Sequence, residues 1–289
     1  MSGILADVLL PLALGVIMLG LGLSLTVEDF LRVARIPRAV FVGLFVQTIL
    51  LPAVCYGIAV AFALPPELAV GLMLLSASPG GATANLFSHL AKGDVALNIT
   101  LTATNSLLSL VTLPFIVQMS LKAFLDADQQ VPIQPQKVVQ VFAIVLIPVV
   151  IGMFIRRAKA SVAISLDKPV RIASAVFLAL VVVASIFKER ANVGGYIREV
   201  GLSALAFNVV SLAVGYFVPL LVKLPKKQAI AIGMEIGIHN ATLAIAVANN
   251  VLGNSKMAIP PAVYGVLMFG TAAAFSFVMN RRAEEPTAP

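Results

Sequence analysis

Nine apolar stretches separated by short polar segments constrain this chain more than any other feature. Of its 289 residues, 60% are hydrophobic and 11% charged, and the mean hydropathy is +1.02. Soluble domains are about 45–50% apolar and about 25% charged, so these stretches must face lipid. A membrane-spanning helix needs about 20 apolar residues. We therefore predict an all-α polytopic membrane protein with nine transmembrane helices, at about residues 4–24, 39–63, 67–91, 95–121, 137–155, 171–187, 200–222, 227–250 and 260–280.

The distribution of basic residues predicts the orientation of these spans. An odd number of spans puts the two termini on opposite sides of the membrane. With the N-terminus outside, 14 of the 20 Lys and Arg residues fall in inner segments, which is the excess that cytoplasmic segments carry. We expect an N-terminus outside and a C-terminus in the cytoplasm, in the plasma (inner) membrane. The cations do not gather on one face, so the +7 net charge does not indicate a nucleic-acid partner.

The span at 67–91 is interrupted by Pro79, Gly80 and Gly81. Proline removes a backbone donor and biases Ser78 away from helix, and the glycines allow a turn. A second half-helix would then begin at residue 82 or 83, although a tight loop between two re-entrant pieces is the alternative. Non-helical backbone at membrane depth is tolerated only inside the protein or along a cavity. The break therefore indicates an internal site.

The span at 227–250 contains Glu235, which is the one acidic residue of 13 that lies well inside a span. A charge there costs about 2.5–3.5 kcal/mol on insertion scales and usually marks an ion or proton pathway. A neutral carboxyl that serves helix packing is the alternative. Gly237, His239 and Asn240 share the same turn. His239 could bind an ion, form a hydrogen bond or carry a proton.

Oxygen-bearing side chains concentrate near the two breaks. Asn85 follows the first break, Asn98 and Thr102 share one face of span four, and Gln47 lies in the middle of span two. Oxygen ligands suit a hard monovalent cation, and the sequence has no Cys/His cluster typical of zinc. Spans two to four and seven to nine each break in the middle member and start from opposite sides, which is typical of an inverted-repeat transporter. Any nine-span protein contains comparable triplets, so this repeat is a hypothesis.

These motifs together resemble the bile acid:sodium symporter family, over nearly the whole chain. The similarity lies in the break with Asn85, residues 90–97, the turn after Glu235, Gln47 before Pro52, and residues 20–26. The resemblance implies a bacterial-type member with nine rather than ten spans, in which two broken helices cross near mid-membrane. It also implies a core of two repeats, at 39–121 and 200–282, a panel domain at 1–38 and 122–199, and a cytoplasmic tail at 283–289.

The resemblance also implies two sodium sites. Its first site would use Asn85, Asn98, Thr102 and Glu235, with Ala84 where a relative has serine; its second would use Gln47, Glu235, His239 and the carbonyls of Ile236 and Ile238. His239 stands where the family has glutamine. A protonated His239 would oppose sodium, and a neutral one would ligate poorly or leave the site to a proton.

An anionic substrate is expected because two half-helix N-termini converge on the crossing. The expected contacts are Ala82, Thr83, Asn240, Thr242, Met268 and Phe269. Ala82 replaces a threonine, and Met268 and Phe269 replace a His-Asn pair, of bile-acid-binding relatives. A small monocarboxylate such as pantoate is therefore favoured over a bile-acid-like anion.

We accordingly predict a sodium-coupled symporter that imports an organic anion by alternating access, and not an enzyme. Its expected partners are sodium, the anion and the bilayer, and a monomer is the default expectation. Proton coupling through Glu235 and His239 is the first alternative. An intramembrane hydrolase with a Ser or Thr activated by His239, and a receptor or scaffold without turnover, are the others.

Overall fold

The computed structural model describes residues 10–125, 135–166 and 193–284, together with 169–170, 172–173 and 176. Within these ranges the chain is helical, and one isolated antiparallel bridge joins Gly80 to His239. The helices are α1 Leu10–Ser24, α2 Val27–Arg35, α3 Pro37–Ala61, α4 Pro66–Ala77, α5 Ala82–Leu90, α6 Val95–Phe124, α7 Pro135–Ala158, α8 Val193–Leu221, α9 Lys226–Gly237, α10 Ala241–Val251 and α11 Ile259–Glu284.

The described helices confirm the all-α polytopic membrane fold. Four of them, in α3, α6, α8 and α11, are long and apolar enough to cross a bilayer, and the bent pair α1 and α2 gives a fifth if it is counted as one span. The two interrupted spans appear as α4 with α5 and as α9 with α10. The predicted span at 171–187 lies mostly outside the described residues, so the count of nine spans stays a prediction.

Helix α2 lies between the first two predicted spans and is not among the nine predicted helices. It bends by 61° from α1 and begins with a capping box, in which the Thr26 amide and hydroxyl donate to Asp29 Oδ2 at 2.8 and 2.7 Å. Arg32 donates to Asp29 at 3.1 Å and to the carbonyl of Ala96 at 3.3 Å. The charged face of α2 and its angle to α1 are typical of a helix lying at the membrane surface.

Long-range contacts join the ends of the helices in two groups. Each group contains only segments that the distribution of basic residues assigns to the same side of the membrane. On the predicted inner side, Arg38 donates to Val222 O (2.6 Å), Asn280 to Leu90 O (2.9 Å) and the Asp94 amide to Lys227 O (2.9 Å); on the predicted outer side, Lys256 pairs with Glu67 (3.5 Å) and the rings of Tyr56 and Phe124 lie 5.1 Å apart.

Helices α1 and α7 pack closely against each other where two glycines meet. A Cβ added at Gly152 would lie 2.6 Å from the amide nitrogen of Leu23, next to Gly22. Small residues at such positions let two membrane helices approach at backbone distance. This pair packs against α10, so it borders the second broken span.

Candidate functional site

The two breaks contact each other and bring four half-helix ends together. Helix α4 ends at Ala77 and α9 ends at Gly237, while α5 and α10 begin just beyond. The connecting segments are joined by the Gly80–His239 bridge and by the Asn240 amide, which donates to Pro79 O at 2.9 Å. Carbonyl-rich C-terminal ends suit cations, and amide-rich N-terminal ends suit anions. The crossing therefore offers both kinds of binding surface in one place.

Glu235 lies fully buried beside this crossing, at 0% exposure. Thr102 Oγ1 donates to its carboxylate at 2.5 Å and Asn105 Nδ2 donates at 3.4 Å. Both donors are neutral, and no basic side chain among the described residues forms an ion pair with this group. A buried carboxylate is costly unless an opposite charge accompanies it. The geometry is therefore suited to a bound cation.

A ladder of three hydrogen bonds holds α6 and α9 in register at this site. Each step advances four residues on both helices, so the two run parallel for two turns. The steps are the Asp94 amide to Lys227 O at 2.9 Å, Asn98 Nδ2 to Ala231 O at 2.7 Å, and Thr102 Oγ1 to Glu235 at 2.5 Å. This ladder brings Asn98, Thr102 and Glu235, all predicted sodium ligands, onto one contact face.

Five buried amide oxygens near the crossing have no hydrogen-bond donor from any described residue. A buried polar atom left in this state costs about 1–3 kcal/mol, so each needs water or a cation as a partner. Three of them belong to predicted sodium ligands, whereas Ala84 is buried but brings no side-chain oxygen. The five atoms are Gln47 Oε1, Asn85 Oδ1, Asn98 Oδ1, Asn105 Oδ1 and Asn208 Oδ1, and the ring nitrogen Nε2 of His239 is likewise without a partner from these residues.

Gln47 reaches the first break from a π-helical turn, Val46–Leu50, inside α3. Pro52 follows this turn and lacks the amide that a regular helix would bond to Thr48 O, and the Leu51 amide bonds to Val46 O instead. Such turns occur often at functional sites. The side-chain amide of Gln47 donates to the carbonyls of Ser76 and Ser78, at 3.2 and 3.1 Å.

His239 faces the same carbonyl of Ser78, which lies 3.0 Å from its Nδ1. A carbonyl only accepts hydrogen bonds, so we assign the ring proton to Nδ1. The ring stacks on Phe207 at 5.9 Å and contacts Tyr264 at 5.5 Å. His239 thus directs an N–H, and not a lone pair, at the carbonyl that Gln47 also contacts.

Two side chains fix the backbone just before His239 through hydrogen bonds to one carbonyl. Asn208 Nδ2 and Tyr264 Oη both donate to Gly237 O, at 2.9 Å each. The carbonyl of Gly237 therefore accepts two hydrogen bonds from the protein. The second predicted sodium site does not need it, since that site would use the neighbouring carbonyls of Ile236 and Ile238.

The predicted anion contacts divide between the two half-helix N-termini and α11. Thr83 lies half-buried in the first turn of α5, and Thr242 lies buried in the first turn of α10. Asn240 Oδ1 accepts from the Leu243 amide at 3.0 Å, so its oxygen caps α10. On α11, Met268 is buried. The remaining two residues are Phe269, whose ring lies 6.3 Å from Phe87, and Ala82, whose backbone begins α5.

Asn105 was missed in the sequence analysis, although it bonds to Glu235. It lies three residues after Thr102 and seven after Asn98, which puts it on the same helical face. Ser109 and Thr112 continue the same face. The polar periodicity of α6 was the signal that could have identified it.

Comparison with known proteins identifies the family of this chain. The model of the sodium bile acid symporter family matches residues 11–195. The uncharacterized sodium-dependent transporter YocS of Bacillus subtilis (strain 168) is 31% identical over 264 residues, which is 88% of this chain and 77% of that protein. The ileal sodium/bile acid cotransporter of Oryctolagus cuniculus is 25% identical, over 92% of this chain and 77% of its own.

A chloroplast protein of Oryza sativa, named as the probable sodium/metabolite cotransporter BASS2, is 28% identical over 94% of this chain. This chain spans 64% of that protein, which is less than two thirds of its length. The family and these relatives are transporters and not enzymes. The chain is an integral membrane protein and belongs to the sodium bile acid symporter family.

Proposed function

We propose that this protein is a sodium-coupled symporter that imports an organic anion by alternating access. One observation carries the proposal. The fully buried Glu235 carboxylate has only neutral hydrogen-bond donors among the described residues, and buried amide oxygens without a donor lie around the same crossing. A monovalent cation would neutralise the carboxylate and give these oxygens a partner. The names of the relatives, which describe sodium-dependent transport, support the same reading.

The first sodium site would lie among Asn85, Asn98, Thr102 and Glu235. The hydrogen-bond ladder supports it, because Asn98 uses its amide N–H groups on Ala231 and leaves Oδ1 without a donor from the described residues. Thr102 donates its proton to Glu235, so its oxygen lone pairs remain for a cation. Ala84 would contribute through its carbonyl alone.

A second sodium site, with Gln47, Glu235, His239 and the Ile236 and Ile238 carbonyls, has weaker support. The Nδ1–H of His239 is directed at Ser78 O, so the ring can offer only the lone pair of Nε2, which has no partner in the described part of the chain. That atom is a nitrogen, whereas a hard cation prefers oxygen ligands. We therefore propose one coupling sodium ion.

The anion would bind with its carboxylate at the N-termini of α5 and α10. Gly81 precedes α5 and has no side chain to cap its amides, which leaves them for a ligand. Phe87 lies one turn beyond Thr83 and contacts Phe269 on α11, which gives an apolar surface next to a polar one. These contacts support a small monocarboxylate with a short apolar body, such as pantoate, over a bile-acid-like anion.

Sodium would order the crossing segments and so complete the anion site. The core repeats at 39–121 and 200–282 would then move against a panel formed by 1–38 and 122–199. The glycine-paired helices α1 and α7 support such a panel, because they form a tight unit that borders α10. The chain would act as a monomer.

The N-terminus would lie outside and the C-terminus in the cytoplasm, in the plasma (inner) membrane. The excess of Lys and Arg in the inner segments supports this orientation. The two groups of helix-end contacts support the alternation of the spans that it requires, since each group joins segments assigned to a single side. For example, Arg38 bonds to the Val222 carbonyl, and both residues belong to the predicted inner side.

The test is uptake of radiolabelled small monocarboxylates into proteoliposomes with sodium or potassium outside. Uptake by the wild type should require an inward sodium gradient and be lost in Glu235→Gln. Glu67→Gln is the matched control, because Glu67 is a partly exposed carboxylate at the start of α4 that pairs with Lys256 at 3.5 Å. Uptake driven by a pH gradient without sodium would instead support proton coupling through Glu235 and His239, and would refute the sodium proposal.

A further inference from the structure

A polar crevice opens at the surface of the helix bundle and reaches Asn105, whose amide nitrogen lies 3.4 Å from Glu235. It lies between α3, the end of α4 and the second half of α6, and the space inside it that the centre of a water molecule can occupy is about 10 Å³. About 10–15 Å³ of such space is needed to hold one water. The crevice is therefore narrow and suited to a small ion or a single water, and it is too small for an organic ligand. Its polar lining consists of Gln47, Thr48, Asn105, Ser109 and Thr112.

The hydroxyl groups of this lining present oxygen lone pairs to the crevice. Thr48, Ser109 and Thr112 each donate their proton to a carbonyl of their own helix, at 2.7, 2.8 and 3.2 Å. A hydroxyl whose proton is used in this way can only accept. The crevice contains no charged side chain among its described lining residues. Its surface therefore attracts cations and their hydration waters and offers little to an anion.

Two amide oxygens without a hydrogen-bond donor lie at the buried end of the crevice. Gln47 and Asn105 are each 3% exposed, and no donor in the described part of the chain reaches Gln47 Oε1 or Asn105 Oδ1. The Asn105 amide nitrogen lies 3.4 Å from Glu235, which is longer than the usual range for such a bond. Asn105 therefore stands between the crevice and the carboxylate, with its oxygen available to an arriving ion.

We propose that this crevice is the hydrated route by which the sodium ion reaches Glu235, and that Asn105 is the last oxygen contact on that route. The proposal rests on the proposed sodium coupling. The anion surface lies elsewhere, at the N-termini of α5 and α10 and beside Phe269. The crevice shares no lining residue with that anion surface, so sodium can reach Glu235 without passing through the anion site and can bind before the anion.

The test is cysteine labelling of protein in lipid nanodiscs with the trimethylammonium ethyl methanethiosulfonate reagent, which reacts in water. Ser109→Cys and Thr112→Cys should be modified at least tenfold faster than Val111→Cys. Val111 is the matched control, since it is the neighbour of Thr112 but is 72% exposed on the outer surface of α6, where lipid covers it. The native Cys55 is fully buried and sets the background. Sodium chloride should slow the labelling of Ser109→Cys relative to potassium chloride.

A second measurement connects the crevice to the ion. Unlabelled Ser109→Cys should be stabilised against heat by sodium over potassium, which also shows that the variant folds. After labelling, that stabilisation should be lost, because the attached cation occupies the crevice beside Asn105 and its positive charge opposes the binding of sodium there. The route is refuted if sodium stabilises the wild type but Ser109→Cys labels no faster than Val111→Cys, or if labelled protein keeps its sodium stabilisation. If sodium does not stabilise the wild type, the sodium coupling itself is refuted, whatever the labelling rates.

Discussion

Replacing Gly80 by alanine would test the carboxylate site with the smallest possible change. A Cβ at this position would lie 2.5 Å from the carboxyl carbon of Glu235 and from both of its oxygens. The φ angle of Gly80 is not in the left-handed region, so alanine fits the backbone there. The whole effect of the substitution should come from contact with the carboxylate.

The expected loss follows from these distances. Non-bonded heavy atoms prefer a separation of about 3.5 Å, so the carboxylate must move by about 1 Å. That movement would break its 2.5 Å hydrogen bond from Thr102, and a hydrogen bond to a charged group contributes about 1.5–3 kcal/mol. Because about 1.4 kcal/mol changes an equilibrium constant tenfold, we expect sodium affinity to fall by about 10- to 100-fold.

The assay is the increase in melting temperature on replacing potassium by sodium, titrated over sodium concentration. Stabilisation by a ligand follows its concentration relative to Kd, so the titration reports affinity separately from general stability. Gly81→Ala is the control, because a Cβ there meets no atom within 4 Å. Wild-type sodium affinity in Gly80→Ala, or an equal loss in Gly81→Ala, would refute the reasoning.

Three further predictions use the same purified protein. His239→Gln should raise the Hill coefficient for sodium in uptake assays from one towards two, because glutamine can donate to Ser78 and still present an oxygen; an unchanged coefficient would contradict this account of the second site. Asn98→Leu should weaken sodium binding at least tenfold while Asn98→Ser, which retains an oxygen, should lose less, and equal losses would mean that the Ala231 bond alone matters. Asp29→Ala should lower the free energy of unfolding by about 1 kcal/mol through loss of the capping box, seen as a lower melting temperature, whereas Glu28→Ala on the exposed side of the same turn should change it less.

The sequence was informative about the breaks because their chemistry is local. Proline and paired glycines interrupt a helix wherever they stand, and the structure ends α4 and begins α5 on either side of residues 78–81. A carboxylate in the middle of an apolar span is equally visible, and Glu235 is fully buried. These features need no knowledge of distant residues.

Features that depend on two distant segments could not be derived in this way. The proton position on His239 follows from Ser78 O, which is 161 residues away in sequence. The π-helical turn at Val46–Leu50 inserts one residue into an otherwise regular helical period, so a count of helical faces would misplace the side chains beyond it. Helix α2 was missed for a different reason, since its capping box at Thr26 and Asp29 was present in the sequence but was not used.

The ladder between α6 and α9 has a consequence for how this chain can change over evolution. Its three steps join residues that are 133 positions apart, yet the register is set by contacts within two turns of helix. Insertions or deletions between Phe124 and Lys226 that lie outside α7 and α8 would leave those contacts in place. A single residue inserted between Asp94 and Thr102 would instead rotate Thr102 by about 100° and turn it away from Glu235. The length of the chain should therefore vary freely outside α7 and α8 in that region, and not at all in this short stretch of α6.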